Sequence, residues 1–200
     1  MHRLVAVLTL LIILSGCTAF VNTVTDEPIR PDPTGKSIGT DFDDSKMETF
    51  IGVNIIKADP ALANAHVNVT VYNGLVLITG EAPSAEMKTL AGDTARDYHG
   101  QRKVYNELQL RGKTSVVSRT NDSIISGKIK TKLAFTKGID FSDMKVVTED
   151  SVVYLLGTLY EDMGDIAAEV ARNTRGVRKV VKCFEYVEKP KRTEPTEFED

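Results

Sequence analysis

The fold of this chain is most clearly indicated by the segment Val67-Asn68-Val69-Thr70-Val71-Tyr72-Asn73-Gly74-Leu75-Val76-Leu77-Ile78-Thr79-Gly80. Its first part alternates valine with polar residues, which is typical of a strand that is buried on one face. Asn73-Gly74 tolerates the positive φ angles of a tight turn. The stretch therefore predicts a β-hairpin whose second strand ends at Gly80.

The same hairpin occurs twice, because the chain contains an internal repeat. Three pairs of segments match, the first two at a shift of 77 positions and the third at 76: Val67–Val71 with Met144–Thr148, Leu75–Gly80 with Val152–Gly157, and Gly100–Val104 with Gly176–Val180. The change in shift from 77 to 76 positions is explained by the deletion of one loop residue in the second copy. We therefore expect two copies of one domain, at residues 47–110 (unit one) and 121–188 (unit two), with a short polar linker at 111–120.

Each unit is predicted to run helix, strand, strand, helix, strand. In unit one, Ser45-x-x-Glu48 has the pattern of a capping box at a helix start, and Asp59-Pro60 predicts the helix end. Apolar residues at three- and four-residue spacing after Pro83 predict a second helix, followed by a strand from Val104 to Leu110. A right-handed crossover joins the last two strands in one sheet. The predicted fold class is α+β, with a three-stranded mixed sheet and two helices in each αββαβ unit.

Residues 1–16 have the features of an export signal. Arg3 precedes the apolar run Leu4–Ile13, and the small residues Ser15 and Gly16 precede Cys17. This order resembles the lipobox of bacterial lipoproteins, in which the chain is cut before the cysteine and the cysteine is acylated. We therefore expect Cys17 to be the lipid attachment site; the alternative is an ordinary signal peptide followed by a chance cysteine. Attached acyl chains would hold the protein on a membrane.

Two segments outside the units lack helix or strand periodicity. Residues 17–46 are rich in Thr, Asp, Pro and Gly, which predicts a lipidated flexible tether. Residues 189–200 are charged and contain Pro190 and Pro195, which predicts a disordered tail.

Composition excludes several classes of function. The formal net charge is −3, or −4 once Arg3 is removed with the signal, which is not that of a general nucleic-acid binder. With Cys17 acylated, Cys183 has no partner in the chain and is predicted to be a small buried hydrophobe. His66 and His99 are isolated, so a metal site is not expected. No catalytic or phosphate-binding motif occurs, so we expect neither an enzyme nor a cofactor.

The αββαβ unit, with its hairpin and closing strand, resembles the BON domain. The matching segments are Ser37-Ile38-Gly39-Thr40, Asp43-Asp44, Val67-Asn68-Val69-Thr70-Val71-Tyr72, Lys103-Val104-Tyr105-Asn106-Glu107, Asn121-Asp122 and Lys145-Val146-Val147-Thr148-Glu149. Two such units behind a lipobox are similar to the dual-BON outer-membrane lipoproteins of Gram-negative envelopes. Thr18, where an inner-membrane lipoprotein often has Asp, is also similar to the outer-membrane class.

The resemblance implies a protein anchored by lipid in the outer membrane and facing the periplasm. It implies binding of anionic phospholipid, mainly through the first helix of the second BON domain. It also implies a role in envelope integrity, accumulation at the site of cell division, and contact with outer-membrane assembly or division-site proteins.

The residues of that helix agree with an interfacial role. Between Asp122 and Phe135, three apolar residues four apart form the expected core stripe, and three lysines stand against one acid. Lysines attract anionic headgroups, and apolar side chains enter the acyl boundary. The candidate phospholipid-binding residues are Ile124, Lys128, Thr131, Lys132 and Phe135.

Alternatives remain open at this point. Ile124 and Phe135 could instead pack on unit one, leaving the lysines as a solvated face. The resemblance also implies a large aromatic side chain near position 124, where this chain has Ile124, and an Ile inserts less firmly at an interface than a Trp. A second function is a protein-interaction adaptor that uses the same helix or the exposed face of a sheet.

The first helix of unit one has a different pattern. Met47, Ile51 and Ile55 form its core stripe, and further apolar residues follow on its other sides, namely Phe50, Val53 and Ile56. A helix that is apolar nearly all round is usually buried. We therefore expect this helix to dock on unit two.

Overall fold

The computed structural model describes residues 38–112 and 116–189, which belong to one compact unit, Thr34–Asp200. The predicted signal and lipobox with Cys17, most of the predicted tether, and residues 190–200 lie outside the described residues. Among the described residues, no helix is both long and apolar enough to span a membrane.

Both units have the predicted αββαβ order. The elements of unit one are α1 (Ile38–Ala58), α2 (Pro60–Ala63), β1 (Val67–Tyr72), β2 (Leu75–Ala82), α3 (Ala85–Arg96), β3 (Lys103–Asn106) and β4 (Gln109–Leu110). Those of unit two are α4 (Val116–Ala134), a 3₁₀ turn (Phe141–Asp143), β5 (Met144–Glu149), β6 (Val152–Leu159), α5 (Glu161–Arg172) and β7 (Lys179–Tyr186).

The sheets confirm the repeat. β2 is the central strand of unit one, antiparallel to β1 and parallel to β3, and β6 has the same position between β5 and β7. Val67 lies opposite Gly80 and Met144 opposite Gly157, so the register repeats at the 77-residue shift. A Cβ atom at residue 157 would lie 2.4 Å from the Asp143 carbonyl oxygen. This close approach explains why the second strand needs glycine there.

The third strand of unit one is shorter than predicted. The predicted strand from Val104 to Leu110 is divided into β3 and β4. Between them, Leu108 N donates to Asn106 Oδ1 at 3.4 Å, and the Leu108 side chain is buried in the core. The local bend therefore places an apolar side chain inward and interrupts the ladder.

The hairpin turns form where Asn73-Gly74 and Asp150-Ser151 predict them. The φ angles are 47° and 73° in the first turn and 50° and 60° in the second. An aspartate of each unit's first helix holds the turn: Asp44 accepts from Asn73 N and Gly74 N at 2.6 and 2.9 Å. Asp122 accepts from Asp150 N and Ser151 N, both at 2.8 Å. We call each such pair of bonds an aspartate clasp.

Both first helices begin earlier than predicted. Because α1 includes Ile38, Ser45 lies inside the helix and its Oγ donates to Asp41 O at 2.9 Å. The carboxylate of Glu48 accepts instead from Val71 N at 3.1 Å. The predicted capping box is therefore wrong. α4 likewise covers residues 116–120 of the predicted linker. In α1 the Asp44 clasp ties this earlier part of the helix to the hairpin turn, and tertiary contacts supply most helical stability.

Helices cover one face of each sheet, and the other faces pack against each other. The inner core of unit one lies between its sheet and α1 and α3, and that of unit two between its sheet and α4 and α5. A third cluster joins the sheets and contains Tyr72, Leu75, Leu77, Tyr154, Leu156 and Cys183. The sheet face that an adaptor would have used is therefore covered by the other unit.

Cys183 is the buried hydrophobe that its sequence context predicts. Its side chain has no exposed surface and lies in the cluster between the sheets. Burial raises the pKa of the Cys183 thiol to about 12, so the group stays neutral at physiological pH. Burial likewise raises the pKa of Tyr154, in the same cluster, to about 12.

The prediction that α1 docks on unit two is wrong. Its core stripe is buried within unit one, but Phe50, Val53 and Ile56 are 51%, 41% and 49% exposed. An ion pair of 3.5 Å between Glu48 and Lys145 links α1 to unit two. The sheets already occupy the interface between the units, which leaves the outward side of α1 open.

Candidate functional site

Helix α4 is fixed from its inner side. Ile125, Ile129 and Leu133 are almost fully buried in the core of unit two. The Asp122 clasp holds the helix to the β5–β6 turn, and Ser126 Oγ donates to Thr148 Oγ1 at 2.7 Å. These contacts set the rotation of the helix and therefore which side chains face outward.

Four of the five predicted site residues lie on the outward side of α4 or, for Phe135, directly after its last residue. The side chains of Ile124 and Phe135 are 52% and 87% exposed. Lys128 and Thr131 are also exposed, and the Thr131 hydroxyl donates to Gly127 O at 2.9 Å. Because both side chains are at least half exposed, the alternative in which Ile124 and Phe135 are sealed against unit one does not match the structure.

Lys132 has a different position from the other four. Its ammonium donates to Asn173 O at 3.2 Å and to Thr174 Oγ1 at 3.0 Å. Asn173 is the C-cap of α5, so the charge lies where a helix dipole is most negative. Lys132 therefore joins the end of α4 to the end of α5, a role that its place on the helix wheel did not indicate.

An apolar groove lies between the end of α4 and α5. Its volume is about 570 Å³, and its lining residues are Thr131, Lys132, Phe135, Thr136, Glu169, Val170 and Asn173. We call it the α4–α5 groove. The carboxylate of Glu169 accepts from Arg172 at 2.7 Å and from Asn173 Nδ2 at 2.6 Å. The one acid of this lining is thus already paired.

A polar cleft of about 440 Å³ lies on the other flank of α4, between the units. Lys130 lines it together with Asn68, His66 and Glu149. Asn68 Nδ2 donates to Glu149 Oε2 at 3.4 Å, and His66 Nε2 lies 3.7 Å from the same oxygen. Sequence reasoning missed this contact between the units, because His66 and Glu149 belong to different units and share no local pattern.

The outward surface of α4 is cationic. Residues 120–138 contain four lysines, namely Lys128, Lys130, Lys132 and Lys137, and one acid, Asp122. Asp122 is buried and accepts two backbone N–H groups. The solvent side therefore presents ammonium groups beside two exposed apolar side chains, and Lys128 has no acidic residue within one helical turn on its own helix.

No group of three or more His, Cys, Asp or Glu side chains in residues 38–112 and 116–189 is placed to hold an ion.

Comparison with known proteins supports the repeat. The BON domain family matches residues 53–112 and 121–188. The chain is 38% identical over 161 residues to the "21 kDa hemolysin" of Actinobacillus pleuropneumoniae, with 80% of this chain and 81% of that protein covered. It is 32% identical over 191 residues to the "Outer membrane lipoprotein DolP" of Haemophilus influenzae, with 94% and 97% covered. A solved structure, the C-terminal domain of CdsD from Chlamydia trachomatis, is 12% identical with a TM-score of 0.27 and covers 72% of this chain and 67% of its own.

Proposed function

The chain belongs to the BON domain family, and from this premise we propose that it is an outer-membrane lipoprotein that binds anionic phospholipid through the outward face of α4. The bound partner is a membrane surface carrying negative headgroups. We assign the protein no enzymatic reaction, since the two relatives above are not named as enzymes.

One observation carries the proposal: Ile124 and Phe135 are exposed on the same side of a fixed helix, with Lys128 between them. Eleven residues of helix separate the two apolar side chains by about 16 Å. Apolar side chains at such positions can enter the acyl boundary while the lysine remains at headgroup level. Each lysine near an anionic surface contributes about 1 kcal/mol.

The anchor is part of the proposal. The relative from Haemophilus influenzae is named an outer membrane lipoprotein and matches along almost its whole length. We propose that Cys17 is acylated after removal of residues 1–16 and that residues 18–37 connect the lipid to α1. Anchoring raises the local concentration of α4 at the membrane, so a weak interfacial helix is sufficient. We propose that this second contact supports envelope integrity and places the protein at division sites.

The test is vesicle co-sedimentation of a chain that starts at Thr18, which lacks the anchor and retains the compact unit Thr34–Asp200. The test variant is Ile124→Ser with Lys128→Glu and Phe135→Ser. We expect its affinity for vesicles containing phosphatidylglycerol to fall at least about tenfold, because two apolar groups and a favourable charge are lost. Lys132 is left unchanged, since its substitution would also break the contact with α5.

A matched control makes the same changes on α1. Phe50→Ser, Val53→Ser and Lys57→Glu alter exposed positions of unit one and change the net charge equally. We expect this variant to bind vesicles like the unmodified chain. Equal losses in both variants, or no binding by the unmodified chain, would contradict the proposal. Circular dichroism checks that both variants keep the fold.

The alternative function, a protein-interaction adaptor, retains α4 as its contact surface, since the sheet faces cover each other. A photo-crosslinking residue at position 124 of the full-length lipoprotein in intact outer membranes separates the two functions. A lipid adduct supports phospholipid binding. A protein adduct without lipid favours an adaptor for outer-membrane assembly or division proteins.

A further inference from the structure

The surface of the α4–α5 groove is apolar, although most of its lining residues are polar. Phe135 and Val170 supply its apolar side chains. Phe135 is almost fully exposed, and Val170 is partly buried against the core of unit two. The other lining residues are two threonines, a lysine, a glutamate and an asparagine. What the groove can bind therefore depends on whether their polar groups are already bonded within the protein.

Both threonine hydroxyls donate to backbone carbonyls four residues earlier in the chain. Thr131 Oγ1 donates to Gly127 O at 2.9 Å, and Thr136 Oγ1 donates to Lys132 O at 2.7 Å. A hydroxyl has one proton to donate, so these two hydroxyls have no donor left for a ligand.

The lysine, the glutamate and the asparagine are bonded at the end of α5. Lys132 Nζ donates to Asn173 O and to Thr174 Oγ1. Asn173 Nδ2 donates to Glu169 Oε1 at 2.6 Å, and Arg172 Nη1 donates to Glu169 Oε2 at 2.7 Å. Because the polar side chains of the lining already have partners, a ligand gains most from this groove through apolar contact.

The groove lies beside more basic than acidic groups. Lys128 lies one helical turn before Lys132, and Lys137 directly follows Thr136. Both lysine side chains are exposed, whereas the acid of the lining, Glu169, already pairs with an arginine. The groove volume of about 570 Å³ is within the range of small-molecule sites. These features match a ligand with an apolar chain and an anionic group at one end.

We propose that the α4–α5 groove binds one acyl chain of a single anionic lipid, whose head lies at Lys128 and Lys137. In the membrane contact described above, side chains of the protein enter the bilayer. Here a chain of the lipid enters the protein, so binding has a fixed stoichiometry. The choice of an anionic lipid rests on the proposed function, whereas the apolar occupant follows from the groove itself.

A dispersed lipid tests the proposal without a membrane. The probe is lauroyl lysophosphatidylglycerol, kept below its critical micelle concentration and titrated into the Thr18–Asp200 chain. Calorimetry and native mass spectrometry should show saturable binding of one molecule per chain. Glycerophosphoglycerol lacks the acyl chain and lauroyl maltoside lacks the charge, so each should bind at least about tenfold more weakly. Absence of saturable binding, or equal binding of either comparison compound, would overturn the proposal.

Filling the groove should remove this binding. Thr136→Trp places a large ring in the groove and should lower the affinity for the dispersed lipid at least about tenfold. Thr49→Trp on α1 is the matched control, because Thr49 Oγ1 makes the same type of bond, to Ser45 O at 3.0 Å. This control should bind the lipid like the unmodified chain. Equal losses in the two variants would contradict the site.

A second variant changes the polarity of the groove and preserves its shape. Val170→Thr should lower the affinity about three- to tenfold, because a hydroxyl replaces a methyl group against the acyl chain. Val53→Thr, at an exposed position of α1, is the control and should have no effect. Circular dichroism checks the fold of all four variants. An unchanged affinity of folded Val170→Thr would overturn the proposal.

Vesicle co-sedimentation separates this proposal from the proposed function. Vesicle binding by the unmodified chain without binding of the dispersed lipid would overturn the groove site and retain the proposed function. Binding of the dispersed lipid without vesicle binding by any chain would refute the proposed function and support the groove site.

Discussion

Helices α1 and α4 occupy equivalent places in the two units but present different outward faces. Each buries three apolar residues at four-residue spacing, and each supplies an aspartate clasp to the hairpin turn. Outside, α1 exposes Phe50, Val53 and Ile56. At the positions of α4 equivalent to Phe50 and Val53, by the 78-residue spacing of the clasps, stand Lys128 and Thr131.

The fold constrains the residues on the inner face of each first helix and leaves those on the outward face variable. The inner face must fill a core of similar shape in both units, so its residues stay equivalent. The outward side chains are largely exposed and fill no core, so their chemistry is free to diverge. A contact with a membrane or a partner is therefore expected on the outward faces, where the two units differ.

Substitutions on the buried faces of α1 and α4 should have the largest effect, and they test whether the two faces are equivalent. Ile51→Ala in α1 and Ile129→Ala in α4 should each lower the free energy of unfolding by about 3 kcal/mol, because both side chains are fully buried. Urea unfolding of the Thr18–Asp200 chain measures both. A loss below about 1 kcal/mol in one helix would show that the inner faces are not equivalent.

Substitutions in the aspartate clasps should have the next largest effect on the free energy of unfolding. Asp44→Asn and Asp122→Asn each replace one acceptor oxygen by an amide, which leaves a turn N–H without its partner and should cost about 1–3 kcal/mol. The neighbouring exposed residue provides the control, since Asp43→Asn should change the unfolding free energy by less than about 0.5 kcal/mol. Similar values for Asp43 and Asp44 would contradict the clasp.

The two turns should differ in their response to pH. Burial alone would raise the pKa of Asp150, but hydrogen bonds from Arg111 and Arg178 outweigh it and hold the pKa below its ordinary value. A lowered pKa in the folded state means stability that is present above the unfolded value, about 3.9, and is lost as pH falls through the folded pKa. Unit one has the uncharged Asn73 in the first position of its turn.

Asp150→Asn should therefore cost about 1–2 kcal/mol at pH 7 and less at pH 2, because the stability that a lowered pKa supplies decreases as the pH falls below the unfolded value. Asn also tolerates the positive φ of this turn. Unfolding free energies measured at both pH values give the result. If the unfolding free energies of the unmodified chain and the variant differed equally at both pH values, the proposed role of the Asp150 carboxylate would be wrong.

The smallest effect concerns the glycines within the two helices. A Cβ atom at Gly127 meets nothing within 4 Å, and one at Gly52 meets Val69 Cγ2 at 4.0 Å. Gly127→Ala and Gly52→Ala should thus each stabilise the fold by up to about 1 kcal/mol. The melting temperature should rise by about 2 °C in each. A decrease for Gly127→Ala would mean that this surface is not open.

Local sequence patterns were sufficient to predict most helices and strands and both hairpin turns. Asn73-Gly74 and the alternation of Val67, Val69 and Val71 act over a few residues, so the hairpin and its repeat were readable. The 3.6-residue period likewise indicated that Ile124 and Phe135 lie away from the core. Their role in lipid binding stays a prediction, because helix geometry does not identify a partner.

The helix starts show where local signals fail. Ser45 and Glu48 have the spacing of a capping box, but contact with the hairpin turn stabilises the preceding residues as helix. Lys132 is a similar case, since its ammonium bonds Asn173 and Thr174, more than 40 positions away. The sequence did contain a signal that could have predicted the clasps, because Asp44 and Asp122 occupy equivalent places in the repeat.

Local sequence patterns were enough to predict the two αββαβ units, their hairpin turns, and the buried side of each first helix, because periodicity and turn preferences act between neighbouring residues. The packing of the two sheets on each other, which leaves α1 open instead of docked on unit two, is visible only in the folded molecule. Both arrangements bury apolar side chains. The choice between them depends on how two complete surfaces fit, which no short stretch of sequence contains.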